Sequence, residues 1–293
     1  MRIGTALLDG TPQVVVVESD GSVTPAAEMA GRPLSSVLDV IDDPGLAALL
    51  EERSPAGAAQ PEAGVEWLAP LRPRRNLFCV GWNYMPHYEE GHKLRDVELP
   101  PVPAHPALFS KTPETVVGPG PRVRYPAHST ELDWEGELAV VIGRGGSDIA
   151  EDEALDHVFG YTVANDISVR DFQRRHGNQW FKGKSFDTHC PMGPTIVTRA
   201  EVPDPQALEV ALDVNGEPKQ HASTATMIFP VSRLISELSV GMALLPGDVI
   251  LTGTPAGVGA TQDPPQFLQV GDRVTVSISG IGRLESEILS VDG

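Results

Sequence analysis

Apolar residues in this chain mostly alternate with polar ones or run together in short blocks, and sustained helical periodicity is rare. Residues 3–18 predict two short strands around Asp9-Gly10-Thr11-Pro12. Residues 34–50 carry partly helical spacing, broken near Asp43-Pro44-Gly45. The stretch "SPAGAAQPEAG" (54–64) is rich in Ala, Pro and Gly, has no period, and reads as a linker. "NLFCVGWNY" (76–84) predicts a buried strand ending at Gly81. Further short strands are predicted near 107–111, 131–142, 158–165, 193–197, 209–214, 248–252, 273–278 and 282–289. One helix stands out, in "FPVSRLISELSVGMALLPGD": Ser232 offers a cap, Leu234, Ile235, Leu238 and Met242 make an apolar stripe, and Pro246 ends it. Many strands with few helices predict an α+β, β-rich fold, a mixed β-sandwich roll rather than alternating βαβ units. The predicted organisation is a small N-terminal α+β domain over 1–70 and a main domain over 71–293.

Two stretches depart from simple patterning. Residues 85–106, "MPHYEEGHKLRDVELPPVPAHP", are polar and Pro-rich over a length that is usually functional when it lacks structure of its own. They predict a mobile lid, because the charges and prolines bury too little apolar surface to hold one closed form. The second stretch is "LDWEGELAVVIG", from Leu132. Side chains two apart share a face of a strand. Asp133, Glu135, Glu137, Ala139 and Val141 therefore fall on one side, and Trp134, Leu138, Val140 and Ile142 on the other. Both faces run into apolar residues, so the acids head toward an interior, where unpaired carboxylates are costly. Asp166 stands at the exit of the next strand, in "FGYTVANDISVRDFQRRHGNQW". Three such carboxylates converging would suit a hard divalent cation. Ion pairs with Arg170, Arg174 and Arg175 would serve equally well on this pattern alone.

Composition narrows the classes. The 293 residues are 41% hydrophobic, enough for a sizeable core, and the 29 Gly and 27 Pro fit a strand-and-turn architecture. With 22 basic and 40 acidic residues the net charge is −18, which argues against nucleic acid or an anionic membrane as partner. The two cysteines form no Cys-x-x-Cys pair, so a disulfide framework and a zinc-thiolate site are not expected. The start carries no apolar signal-peptide core, and no apolar run approaches the ~20 residues of a membrane helix. A cytoplasmic location is the expectation.

Six blocks, "GWNYMPHYEE", "LDWEGELAVVIG", "GYTVANDISVRDFQ", "KGKSFDTHCPMGP", "GDVILTGTPAGVG" and "GDRVTVSISGIGRLES", follow one another in an order and spacing that resembles the fumarylacetoacetate hydrolase family over roughly 75–290. The resemblance implies that Glu135, Glu137 and Asp166 bind Mg²⁺ or Mn²⁺, with Ca²⁺ as a substitute, and leaves Asp133 outside the ligand set. It implies a general base at His87 backed by Glu90, with His92 and Glu89 as neighbouring alternatives. It places Lys184, rather than Lys182, facing the substrate, and Arg170, Gln173 and Thr254 along the substrate pocket. It also implies a homodimer and a small oxo-acid substrate. Trp82 departs from the pattern, standing where relatives often carry Arg, Lys or Leu. Pro86, directly before His87, suggests that His87 and Glu90 come together only when the lid closes.

The chemistry so implied is hydrolysis of a carbon–carbon bond in a 2-oxo or 1,3-dicarbonyl acid of acylpyruvate or fumarylpyruvate type. His87 would activate water for attack on a carbonyl, and the released electron pair would be held as an enolate. Isomerisation or decarboxylation of a 2-oxo or 2-hydroxy-dienoic acid through the same enolate is the alternative. A catalytically silent metal-binding relative is the reading from another class.

Overall fold

A computed structural model describes residues 1–18, 20–54, 64–94, 99–177 and 179–291. Its backbone is two packed sheets with short helices at their ends. In the larger sheet the strands run, side by side, Val23–Pro25, Thr11–Val17, Arg2–Leu8, Cys190–Thr198, Val158–Asn165, Gly136–Ile142, Val249–Leu251, Leu77–Gly81 and Ala107–Lys111. The smaller sheet holds Glu217–Ser223, Glu209–Val214, Arg273–Ile278, Gly282–Leu289 and Gly120–Arg124. This is the α+β, strand-rich architecture that the patterning predicts.

Gly136–Ile142 is buried along its whole length, which its run of Leu, Ala, Val and Ile requires. Leu138, Val140 and Ile142 enter the core between the two sheets with Tyr161, Leu212, Val276 and Leu284. Ala139 and Val141 enter a second core with Cys79, Ala164, Met192 and Leu251. Ile3, Val14, Val40 and Leu50 of the N-terminal segment belong to that second core. Arg2–Leu8 pairs antiparallel with Cys190–Thr198, Ile3 opposite Ile196. The boundary near residue 70 thus divides the chain in sequence without breaking the sheet. The linker stretch lies almost wholly outside the described residues.

Three local expectations need correction. The outstanding helix is Val231–Ser239, shorter than predicted. Pro230 stands at its N-cap and no side chain caps it, so Ser232 is not the cap. Met242 lies beyond its end, 37% exposed, because a turn at Gly241 with φ 66° has already reversed the chain. Second, the strand of acids is not continuous. Leu132–Asp133 pairs with Ser168–Val169, and the long strand begins only at Gly136, so Glu135 sits in the link between them. Third, the 85–106 stretch opens with a helix, Met85–Leu94. Pro86 is accommodated because N–H groups in a first helical turn have no intrahelical acceptor to lose. Residues 95–98 lie outside the described set.

His189 gives a pH test of the packing. It is buried, its Nε2 pairs with the Arg124 carbonyl at 2.9 Å, and its ring stacks on Phe186. Burial pushes its imidazole down to about 4. The folded state therefore favours the neutral ring. The stabilisation is complete above the unfolded value near 6.5 and is lost as pH falls toward 4, up to ~3 kcal/mol. In urea melts, the stability gap between wild type and His189→Gln should narrow over that window. A gap independent of pH would contradict a neutral His189.

Candidate active site

The acidic centre is assembled by strand register. Glu137 lies opposite Ala164 and Gly136 opposite Asn165, and the Asp166 N–H then donates to the Glu135 carbonyl at 2.8 Å. The Asn165 side chain accepts from the Glu135 N–H at 2.9 Å. Glu135, Glu137 and Asp166 are all buried, with carboxylate oxygens within 4.8 Å of one another. The alternation of acids thus does mark an inward-facing cluster, but Asp133 stands apart from it. Its carboxylate accepts from Gly259 N–H at 2.7 Å, Ala260 N–H at 3.0 Å and Arg170 Nε at 2.7 Å.

Cations surround the trio. Lys184 Nζ lies 2.7 Å from Glu135 and 2.8 Å from Asp166. Arg170 reaches Glu135 at 2.8 Å besides its bond to Asp133. Lys111, which sequence reasoning missed, is fully buried with Nζ 2.7 Å from Asp166 and 3.1 Å from the Ile167 carbonyl. Burial alone would raise the Glu135 pKa, but Lys184 and Arg170 outweigh it and hold that carboxyl down at about 2. Glu137 goes the other way. Burial, then the charges of Asp166 and Glu135, push it well above the usual carboxylate range, against Lys184 and one hydrogen bond from Gly253 N–H at 2.7 Å. Three clustered hard oxygen donors, one of them short of positive charge, fit a hard divalent cation.

Lys184 is delivered by a short helix, Phe181–Lys184, packed on Arg170–Arg175. Gly183 makes that approach, since a Cβ there would fall 2.5 Å from the Gln173 nitrogen and 2.7 Å from the Val169 carbonyl. Gly183→Ala should therefore displace Lys184 and cost ~1–3 kcal/mol of stability, read by urea denaturation. An unchanged midpoint would show that the two helices are not tightly seated. Lys182 is exposed and lies over Phe186, so the inward lysine is Lys184.

His87 and Glu90 already form a dyad, Nδ1 to Oε1 at 2.7 Å, on one turn of the Met85–Leu94 helix. Glu90 is itself held by the Gly257 N–H at 3.2 and 3.1 Å. With Nδ1 engaged, Nε2 carries the free lone pair. The alternatives fall away: Glu89 is exposed, and His92 Nδ1 pairs with the Tyr88 carbonyl at 2.7 Å.

His87, Glu135, Arg170, Gln173, Lys184 and Thr254 all line one cavity of about 440 Å³. Gln173 accepts from Arg170 at 3.1 Å. The Thr254 hydroxyl is engaged on both sides, donating to the Gly136 carbonyl at 3.0 Å and accepting from Gln220 at 2.8 Å. Trp82, at φ 55°, packs edge-on against Trp180 at 4.8 Å, and Phe109 meets Trp180 at 5.3 Å; these three rings form an aromatic wall. No helix among the described residues is long and apolar enough to cross a membrane.

The family model for the fumarylacetoacetate (FAA) hydrolase C-terminal region matches residues 76–289. The chain belongs to the fumarylacetoacetate hydrolase family. Members it resembles carry different activities in their names. Oxaloacetate tautomerase YisK of Bacillus subtilis (strain 168) is 47% identical over 222 residues, 75% of this chain and 72% of that protein. Among solved structures, the fumarylacetoacetate hydrolase EaFAH from psychrophilic Exiguobacterium antarcticum superposes with a TM-score of 0.82 at 37% identity, covering 99% of both chains. The 5-carboxymethyl-2-hydroxymuconate delta-isomerase from Mycobacterium smegmatis does so at 0.75 and 33%, again over 99% of both. The acidic trio and the dyad lie within residues 76–289, the part of the chain that the family model matches.

Proposed function

We propose that this protein is a divalent-cation-dependent enzyme that interconverts the keto and enol forms of a small 2-oxo dicarboxylic acid such as oxaloacetate. The observation that carries the reading is that His87, paired with Glu90, lines the same cavity as Glu135 of the acidic trio. The similarity to a tautomerase at 47% identity supports tautomerisation over bond cleavage.

Glu135, Glu137 and Asp166 would hold the ion, Mg²⁺ or Mn²⁺. When bound there it would act as a Lewis acid toward the adjacent oxygens of the oxo acid. The chain's own groups do the rest. Glu90 fixes the His87 tautomer, and Nε2 removes a proton from the carbon beside the carbonyl. The electron pair moves to the carbonyl oxygen as an enolate. The Lys184 ammonium, buried and held protonated by Asp166 and Glu135, faces that developing charge. Returning the proton to oxygen gives the enol; returning it to carbon restores the keto acid. Arg170 and Gln173 orient the substrate carboxylate, and the aromatic wall excludes water.

Carbon–carbon hydrolysis is the second reading. The same dyad could take a proton from water, and a solved structure 37% identical is named a hydrolase. One assay separates the two. Purified protein with Mg²⁺ or Mn²⁺ is given enol oxaloacetate and the loss of its ultraviolet band is followed, alongside product analysis with a panel of acylpyruvates. Acceleration of enol decay without new carbon fragments is the expected result. Cleavage of an acylpyruvate with no effect on the enol would overturn the tautomerase reading.

A further inference from the structure

We infer that Phe109, Trp180 and Trp82 form a subsite for a planar aromatic group on the carbon that loses its proton, so that the enzyme tautomerises 3-aryl-2-oxo acids of the phenylpyruvate kind as well as small dicarboxylic acids. This rests on the keto–enol reading of the same cavity and goes beyond it by naming a second substrate class. The cavity, about 440 Å³, is of the size that takes drug-sized molecules, and a four-carbon dicarboxylate fills only part of it. Arg170 and Lys184 both ion-pair with Glu135, at 2.8 and 2.7 Å. Among the described residues that line the cavity, the remaining arginine or lysine is Arg174, which is exposed and paired with Glu131. A compact dicarboxylate can keep both carboxylates at the Arg170–Lys184 end and leave the aromatic wall unused.

The wall begins at Lys184, whose Nζ lies 5.0 Å from the centre of the Phe109 ring. Phe109 meets Trp180, and Trp180 meets Trp82. The Trp82 Nε1 lies 3.4 Å from where a Cβ on Gly91 would stand, and Gly91 belongs to the helix that carries His87. The wall thus runs from the ammonium that faces the developing enolate to the helix of the base. On the proposed mechanism the carbon that loses its proton lies between those two groups, so a planar substituent on it has the wall beside it. The ring planes turn by 71° and 81° along the wall, which offers both faces and edges, the arrangements in which aromatic rings attract. All three rings are half-buried, which leaves contact surface for a ligand, and Val258, Pro265 and Phe267 add apolar lining. Two backbone features seat the rings. A Cβ on Gly81 would fall 2.1 Å from a Trp180 ring carbon, so that ring occupies the space a side chain would need. Trp82 is held at φ 55°, a costly conformation for a bulky residue and one that functional sites tend to retain.

Oxamate and N-phenyloxamate are non-reacting anions with adjacent oxygens that differ by one aromatic ring. Each is titrated calorimetrically into the full chain with Mn²⁺ present, and the decay of enol phenylpyruvate and of enol oxaloacetate is followed at their ultraviolet bands above the buffer rate. Wild type should bind N-phenyloxamate at least ~10-fold tighter than oxamate, the scale of an apolar contact well matched to its pocket, and should accelerate both enols. Trp180→Ala should remove the preference for N-phenyloxamate. It should also lower the ratio of kcat/KM for phenylpyruvate over oxaloacetate at least ~10-fold, mainly by raising KM for phenylpyruvate. Trp180→Phe, which keeps a ring, should retain most of the preference and of the ratio. If Trp180→Ala does not fold, Phe109→Leu carries the test, with a fall in the same ratio. Oxaloacetate accelerated without phenylpyruvate overturns the inference and leaves the keto–enol reading standing. Oxamate bound by wild type as tightly as N-phenyloxamate also overturns it, as does an unchanged ratio in the folded variants. Neither enol accelerated removes the keto–enol reading, and this inference with it.

Discussion

Asp166→Asn is expected to remove cation-dependent turnover and to destabilise the fold at the same time. Asp166 offers one oxygen to Lys111 and the other to Lys184, and all three groups are buried. The amide keeps one acceptor but leaves two ammonium groups without their shared counter-charge. Breaking one member out of a buried ion pair costs ~3–5 kcal/mol. Relief of the repulsion between Asp166 and Glu137, which helps to push the Glu137 carboxyl up, offsets part of that. Loss of a carboxylate ligand should weaken Mn²⁺ binding beyond the ~10–100-fold that follows loss of a metal site's outer partners. Calorimetric titration and urea denaturation of the same preparation check both effects. Mn²⁺ bound as tightly by Asp166→Asn as by wild type would place the cation elsewhere.

Much of this centre could be read before the fold was known, and the reasons differ residue by residue. Glu135 and Glu137 were legible because acids at alternate positions beside "LAVVIG" contradict a solvent-facing role. Asp166 was legible from its place at a strand exit. His87, Glu90, Lys184, Arg170 and Gln173 needed the six ordered blocks, since each has an ordinary surface reading when taken alone. Lys111 was hidden. A single lysine closing a short strand usually reaches solvent, and only the pairing of Ala107–Lys111 at the sheet edge and the packing of Asp166 against it turn it inward. The helix from Met85 was hidden for a local reason. Pro86 and four charges between 89 and 95 mask a helix whose buried side, with His87, Tyr88 and His92, is mostly polar or aromatic. The joining of Arg2–Leu8 to Cys190–Thr198 is a pairing across nearly 200 positions, which no local pattern encodes.

His87→Ala should reduce the keto–enol rate by ~10²–10⁴-fold, the usual contribution of a positioned general base. Mn²⁺ affinity should stay close to wild type, because His87 is not among the three clustered carboxylates. The split between turnover and cation binding is what separates a base from a ligand. On the proposed mechanism the loss should appear chiefly in kcat, since the dyad would act when the proton moves while Arg170, Gln173 and Lys184 would still hold the substrate. Glu90→Gln should fall between the two: its amide oxygen can still accept from Nδ1, but the carboxylate charge beside the ring is gone. His87 Nδ1 and Glu90 Oε1 lie 2.7 Å apart on one turn of a single helix, so the Glu90→Gln effect should not depend on how slowly the protein closes over its substrate. Solvent viscosity should accordingly leave the ratio of wild-type to Glu90→Gln rates unchanged. Turnover near wild type in His87→Ala would show that another group removes the proton, leaving the Lys184 ammonium to face the developing enolate.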